Sequence, residues 1–437
     1  MAFTAGPLVV VHAALLVVFD LAARPVFSLA LLALAFIAWL WAARRAEHWR
    51  TATAILGVAV VLRALLIPLP PTLSDDTLRY VWDGRVLSAG FNPYLHAPES
   101  ETLAELRDDL WQQMPHKHVP TVYPPVALAV FTVASWLPFP LVAVKILLCF
   151  AELLGCLLLV RLARVLGKPA GRTVWYVWNP LAAMEVAGMG HVDGLMMAAV
   201  VATVLFLAEV PRRVGPAALA AALAVLSKLL PLIALPMWAR QSGRPGRFAA
   251  LVVSVLTLFM APILLSTQGT PPGLVTYGVS WEFNGPLYEP LWRAIDWLDP
   301  IDSIKSGLDR IKEATGWHEG VNRLYPLVYP QFLAKLMLLG LLGVFVLASL
   351  LAPDPVTGTG RLLGGLMLVV ATLYPWYLLS LLPLAALCRH KAWLALSGLV
   401  QLAYLPGLLG VEYWPWGYCA IWIPFFALLV RERWSTD

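Results

Sequence analysis

Apolar residues in this chain fall into long, almost unbroken runs separated by short charged stretches. A helix needs about 20 apolar residues to cross a bilayer. Runs of that order cover 7–23, 27–43, 52–70, 120–138, 141–165, 172–188, 190–209, 215–238, 247–266, 327–352, 362–388, 392–410 and 414–430. The pattern predicts an all-α polytopic membrane protein, a single integral domain over residues 1–437, with about 11–13 transmembrane helices. The first run has neither a basic region before it nor a small-residue cleavage site after it, so it reads as a span rather than a leader. Two long polar connections interrupt the pattern, at 71–119 and 267–326.

The 71–119 connection has a pattern of its own. Over 76–89, Leu78, Val81, Trp82 and Val86 share one helical face, which predicts an amphipathic helix lying along the membrane surface. Thr102 to Gln113 predicts a second, and Pro93, Pro98, Pro115 and Pro120 punctuate the loop. The 267–326 connection carries Tyr277, Trp281-Glu282-Phe283-Asn284-Gly285 and Tyr288, then a charged amphipathic part through Arg323.

Composition agrees with the pattern. Of 437 residues, 60% are hydrophobic and only 13% charged, with mean hydropathy +0.75. Soluble domains carry about 25% charged residues. The four cysteines, Cys149, Cys156, Cys388 and Cys419, all fall in apolar segments and read as small buried hydrophobes. The net charge of +5 matters through its distribution. Basic clusters at Arg44/Arg45/Arg50, Arg161/Arg164/Lys168/Arg172, Arg212/Arg213, Arg240/Arg244/Arg247, Arg389/Lys391 and Arg431/Arg433 mark the cytoplasmic side. Both long connections then lie outside the cell membrane. Segments 141–165, 215–238 and 362–388 have basic residues near both ends, which predicts broken or re-entrant helices. Pro231/Pro236 and Pro375/Pro383 are the breakers in two of them. The basic residues are spread over loops, not gathered on one face, which argues against nucleic acid.

The candidate chemistry concentrates in Ser74-Asp75-Asp76-Thr77-Leu78-Arg79-Tyr80-Val81-Trp82-Asp83-Gly84-Arg85. Three carboxylates and two arginines crowd a membrane exit there. One reading is a solvated loop with surface ion pairs; the other is a site for polar chemistry on a membrane-borne substrate. Helix N-capping accounts for one of Asp75 and Asp76 but not easily both. Further ionisable groups interrupt apolar runs: Glu185, His191 and Asp193 after Trp178-Asn179-Pro180, Lys228 before Leu229-Leu230-Pro231, and Arg63. Ionisable groups at membrane depth point to function, because burying them is costly. Snorkelling to the interface is the plain alternative for Arg63, and a capped helix start for His191. Tyr123, Trp281, Asn284 and the Tyr374-Pro375-Trp376-Tyr377 break supply aromatic and amide groups suited to a sugar, or simply to anchoring at the interface.

The ordered set Ser74-Asp75-Asp76-x-x-Arg79-Tyr80-x-Trp82-Asp83-Gly84, Gly90-x-Asn92-Pro93-Tyr94, Tyr123-Pro124-Pro125, Asn179-Pro180, Gly190-His191-x-Asp193-Gly194, Ser227-Lys228-x-x-Pro231 and Pro375-Trp376-Tyr377 resembles the GT-C superfamily of polytopic glycosyltransferases. Within it the chain is most similar to bacterial polyprenol-phosphate-mannose-dependent mannosyltransferases. The resemblance implies a GT-C-like bundle in the inner (plasma) membrane with its active site on the extracytoplasmic face. It implies transfer of a sugar, mannose by preference, from a polyprenyl phosphate to a lipid or glycan acceptor, by an inverting displacement. Asp75 or Asp76 would be the general base. Arg79, Tyr80, Asp83, Arg85, Tyr123, His191, Asp193, Lys228, Trp281, Asn284, Trp376 and Tyr377 would form the substrate and phosphate site. The sequence shows no second acidic cluster of the kind that completes a divalent site in metal-dependent members; no cofactor is assigned and a divalent cation stays open. A lipid or lipid-linked-sugar flippase without transfer activity, and a structural subunit of an envelope complex, are the competing classes.

Overall fold

The computed structural model describes residues 2–432; Arg433, of the last basic cluster, lies outside the described residues. The main helices in chain order are α1 (Ala2–Val18), α2 (Pro25–Ala46), α3 (Ala52–Leu66), α4 (Asp76–Ser88), α5 (Pro125–Ser135), α6 (Pro140–Val165), α7 (Asp193–Ala208), α8 (Val214–Ser227), α9 (Pro245–Ser266), α10 (Pro330–Leu350), α11 (Pro355–Val369) and α12 (Trp416–Leu429). No strand occurs among the described residues. Pro25–Ala46, Pro140–Val165, Pro245–Ser266, Pro330–Leu350 and the bent run Lys391–Leu409 are long and apolar enough to cross a membrane, and shorter apolar helices stand beside them. This is an all-α polytopic membrane protein.

Much of the proline in the chain starts helices. Pro25, Pro125, Pro140, Pro245, Pro330 and Pro355 each stand in a first turn, where a missing N–H costs nothing and the fixed φ suits the helix. One apolar core cluster draws on residues from Ala5 to Phe425. Helix α7 is buried on nearly every side and runs through its middle, as expected of a helix that is apolar all round. Helix α9 buries only Phe248 and Val252 and turns the rest of its apolar surface outward.

The segments expected to break do so unequally. Lys228, with extended backbone (φ −158°, ψ 138°), ends α8 before a short 3-10 stretch, Leu230–Ala234. Helix α11 stops at Val369 and the chain resumes as Pro375–Ser380 and Leu382–Cys388. Segment 141–165 does not break: α6 is continuous over 26 residues. Its inner basic residue, Lys145, is no loop cation; it is 1% exposed and donates to the Leu69 carbonyl at 2.5 Å. The unforeseen break is 172–188, which divides into Ala170–Thr173, Val174–Val177, Pro180–Ala183 and a π turn, Met184–Gly188. Asn179 caps the third piece by accepting from Leu181 N at 2.9 Å.

Two further expectations change. Helix α4 does not lie free on a surface. Its other face is buried too, with Tyr80, Asp83 and Gly84 packed inward. A Cβ on Gly84 would stand 2.3 Å from the Phe131 carbonyl oxygen, so only glycine lets α4 cross α5 this closely. The second loop helix is shorter than 102–113: a 3-10 turn, Glu101–Leu106, precedes Asp109–Gln113, which Asp108 caps.

Arg63 neither snorkels nor reaches a site. Its guanidinium meets Glu152 at 2.7 and 3.0 Å and donates to the Val177 carbonyl at 2.6 Å, joining α3, α6 and the broken segment. Both side chains are at most 1% exposed. Removing one partner leaves the other charged and sealed, at a cost of about 3–5 kcal/mol. Glu152→Gln should therefore lower the melting temperature in detergent well beyond the effect of Arg45→Gln on an exposed helix end, and Arg63→Met/Glu152→Met should recover most of the loss. Equal melting of Glu152→Gln and wild type would show that the pair carries no stability.

Candidate active site

A cavity of about 830 Å³ opens at one end of the bundle, between the start of α4, the 115–124 strap, the Lys228 break, the 274–283 segment and the 370–377 break. The 370–377 break and the second long loop are joined directly. Phe283 N donates to the Ala371 carbonyl at 3.0 Å and Leu373 N to the Phe283 carbonyl at 2.8 Å. Unwound backbone at membrane depth is tolerated where it is buried in protein or lines a cavity, and here it lines one.

Asp75 and Asp76 both face this cavity. Neither side chain caps α4; instead Asp76 N donates to Ser74 Oγ at 3.4 Å. The first turn of α4 is fixed from behind, since Thr77 Oγ1 donates to the Met189 carbonyl. Gly190, at φ +78°, makes that approach feasible: a Cβ there would lie 2.9 Å from both Thr77 Oγ1 and Lys145 Cγ. The result sets Asp76 Oδ2 3.5 Å from His191 Nδ1, while His191 Nε2 is 3.3 Å from Glu185 Oε2. Tyr404 donates to both Glu185 oxygens at 2.8 and 3.0 Å. A line of Asp76, His191, Glu185 and Tyr404 thus runs from the cavity into the core, with His191 and Glu185 fully buried.

The two neighbouring carboxyls are driven apart. Burial and the adjacent Asp76 charge push Asp75 above the usual carboxylate range. Burial also pushes Asp76 upward, but the hydrogen bond and charge of His191, with Lys228 and His116 farther off, outweigh it and hold Asp76 below that range.

Aromatic rings wall the cavity. His191 stacks on Trp376 (3.7 Å, 13°), Trp376 on Tyr374 (4.6 Å, 2°) and Tyr374 on Phe283 (5.2 Å, 28°). Across from them Lys228 Nζ sits 4.0 Å over the Tyr377 ring, whose hydroxyl meets that of Tyr277. Lys228 is also paired with the buried Asp193, at 2.8 and 2.9 Å. Trp281 packs beside Tyr277 and His116.

Of the residues singled out in the sequence, Asp75, Asp76, Arg79, Tyr80, Tyr123, Lys228, Trp281, Trp376 and Tyr377 line the cavity. His191 and Asp193 stand behind it, each touching a lining residue. Asp83 is one step removed, holding Arg79 Nε at 2.8 Å. The rest of the Arg79 guanidinium donates to the His116 and Val119 carbonyls, at 3.4 and 2.7 Å, and so ties down the 115–124 strap. Arg85 points away and pairs with Asp108 at 2.5 Å. Asn284 is buried and internal: it donates to the Leu373 carbonyl at 3.1 Å and accepts from Trp422 Nε1 at 2.7 Å and from the Tyr413 hydroxyl. The amide therefore braces the junction of loop and break.

Sequence reasoning left Glu185 and Tyr404 without a role. Glu185 carried a signal, being a lone carboxylate in an apolar run; Tyr404 carried none, since nothing in its own segment marks it as a partner of a residue in another. Among the described residues no group of three His, Cys, Asp or Glu side chains stands in a metal-holding arrangement.

Comparison with curated proteins gives no match, and neither does comparison with solved structures. A model of the family described as alpha-(1->6)-mannopyranosyltransferase, N-terminal domain, matches residues 5–242, more than half of the chain and the part that carries Asp75, Asp76, Glu185, His191, Asp193 and Lys228. The chain therefore belongs to the alpha-(1->6)-mannopyranosyltransferase family.

Proposed function

We propose that this protein transfers mannose from a polyprenyl-phosphate donor to a hydroxyl of a lipid or glycan acceptor, on the extracytoplasmic face of the plasma membrane, with Asp76 as general base. The observation that carries the reading is the carboxylate of Asp76, open to an 830 Å³ cavity on one side and held by buried His191 on the other. A base must be ionised and held in place beside its substrate; the lowered pKa of Asp76 and its contact with His191 suit it to that role. Asp75, more basic and lining the same cavity, is suited to a sugar hydroxyl or a visiting cation.

The step is a single displacement. The acceptor oxygen bonds to the anomeric carbon while the bond from that carbon to the phosphate oxygen breaks. The electron pair leaves with the polyprenyl phosphate and the hydroxyl proton passes to Asp76, inverting the anomeric centre. Lys228 meets the charge that grows on the departing phosphate. Its pairing with Asp193 fixes the ammonium in place. The aromatic wall that includes Trp376 and Tyr374 gives the sugar an apolar surface to pack against.

Orientation supports the extracytoplasmic reading. Arg44 and Arg45 end α2, Arg161 and Arg164 end α6, and Arg212 and Arg213 follow α7, all at helix ends opposite those that lead to the cavity. A flippase would need a polar path through the bilayer, whereas Arg63 and Glu152, the charges deeper in the bundle, are sealed against each other.

The test is direct. Purified protein in detergent, given radiolabelled polyprenyl-phosphate mannose and a mannose-bearing acceptor, should label the acceptor and release polyprenyl phosphate. An intact donor with an unlabelled acceptor would overturn the transferase reading. Transfer from a nucleotide sugar with no lipid donor present would overturn the donor assignment.

A further inference from the structure

A second cavity, of about 340 Å³, lies far from the first and carries only positive charge. It sits between the connection that follows α7 and the one that precedes α9, and Arg212, Arg244 and Arg247 line it. Those connections are distant in sequence but touch here. Arg212 Nη1 stands 3.4 Å from where a Cβ on Gly243 would be, and Gly243 has the positive φ, +71°, that such a tight turn requires.

None of these three arginines pairs with an acid among the described residues. Glu209, the carboxylate of the same connection, is taken by Arg161 and Arg213. Three guanidiniums converging on one ligand-sized hollow without a neighbouring acid concentrate positive charge in a shape suited to an anion. The backbone adds to the field. Helices α8 and α9, of 14 and 22 residues, both begin at this hollow, and neither has a side-chain cap on its first N–H groups.

We propose that this hollow binds a phosphate group, and that its source is the headgroup of an anionic membrane lipid. The guanidinium forks match phosphate oxygens bidentately. The surroundings favour a lipid. The hollow lies at the ends of apolar helices, and beside it Val210, Leu219 and Leu251 are exposed, as acyl chains would require. The site is separate from the transferase cavity. Asp193 and Arg212 flank opposite ends of α7, whose 16 residues span about 24 Å. A lipid held here would join the turns before α8 and α9 and so steady the helix that ends in Lys228.

The experiment uses full-length protein in a neutral detergent, with binding of dihexanoyl phosphatidylglycerol, dihexanoyl phosphatidylcholine and inorganic phosphate measured by thermophoresis. Arg244→Gln/Arg247→Gln is compared with wild type and with Arg164→Gln, which removes an exposed cation elsewhere. All three proteins should melt alike, because none of the altered arginines is buried. Phosphatidylglycerol should bind in preference to phosphatidylcholine, and the double variant should bind it about tenfold more weakly while Arg164→Gln binds normally. Arginine-dependent binding of inorganic phosphate alone, with no gain from the lipid, would keep the phosphate site and make free phosphate its source. Binding unchanged in the double variant, or lowered equally by Arg164→Gln, would overturn the site.

Discussion

Asp76→Asn is expected to abolish mannosyl transfer, by about 10³-fold or more in kcat, while Asp75→Asn loses about tenfold. The amide is nearly isosteric, and Asp76 caps no helix, so the variant should fold and melt like wild type. A fall of similar size in both variants, or full activity in Asp76→Asn, would remove Asp76 from the base role. The pH profile separates the two carboxylates independently. Asp76 is held below the usual carboxylate range, so it is ionised throughout and above that range and loses its charge only on further acidification. With Asp76 as base, kcat/KM should therefore persist as pH falls into the ordinary carboxylate range. With Asp75 as base the sign reverses: its raised pKa would make activity fall at a pH above that range. His191→Gln should weaken the hold on Asp76 and move this acid limb upward, an effect that a purely structural histidine would not produce.

Lys228 is the second large effect. Lys228→Gln should cost about 10²–10³-fold in kcat, because a preorganised cation facing the leaving phosphate works mainly in the transition state. Taken alone the variant is ambiguous, since it leaves Asp193 buried without its partner, and such a charge destabilises the fold. Lys228→Gln/Asp193→Asn resolves the ambiguity. Removing both charges should restore the melting temperature and leave kcat low. Restoration of activity together with stability would mean that Lys228 serves the fold and not the phosphate. Lys228→Arg keeps the charge but changes its shape. It should keep the stability of the pair and recover only part of the rate, because the larger planar guanidinium spreads the charge that the compact ammonium concentrates at one point.

How far the site could be read in advance depended on the kind of fact. That Asp75 and Asp76 stand at a cavity agrees with two carboxylates at a membrane exit, more than capping needs. That Arg85 does not join them could not be foreseen. It stands six positions after Arg79 along α4, and that step turns its side chain away from the cavity toward Asp108. Asn284 looked like a sugar ligand because an amide beside aromatics suits a sugar; it proved to be spent on Trp422, Tyr413 and the Leu373 carbonyl.

From its sequence alone the chain determines that it is a bundle of membrane helices, where most of those helices begin, and where its polar chemistry gathers. These are local properties. Apolar run length sets what crosses a bilayer, proline sets where a helix starts, and the cost of burying charge marks Asp76, His191, Asp193 and Lys228 wherever they fold. Only the tertiary structure decided which of them meet. Tyr404 reaches Glu185 across 219 residues, and Arg63 finds Glu152 across 89. The physical reason is that apolar helices constrain one another's neighbours only through shape, by steps such as Gly84 against α5 and Gly190 against Thr77, and shape complementarity between distant segments leaves no periodic trace in either one.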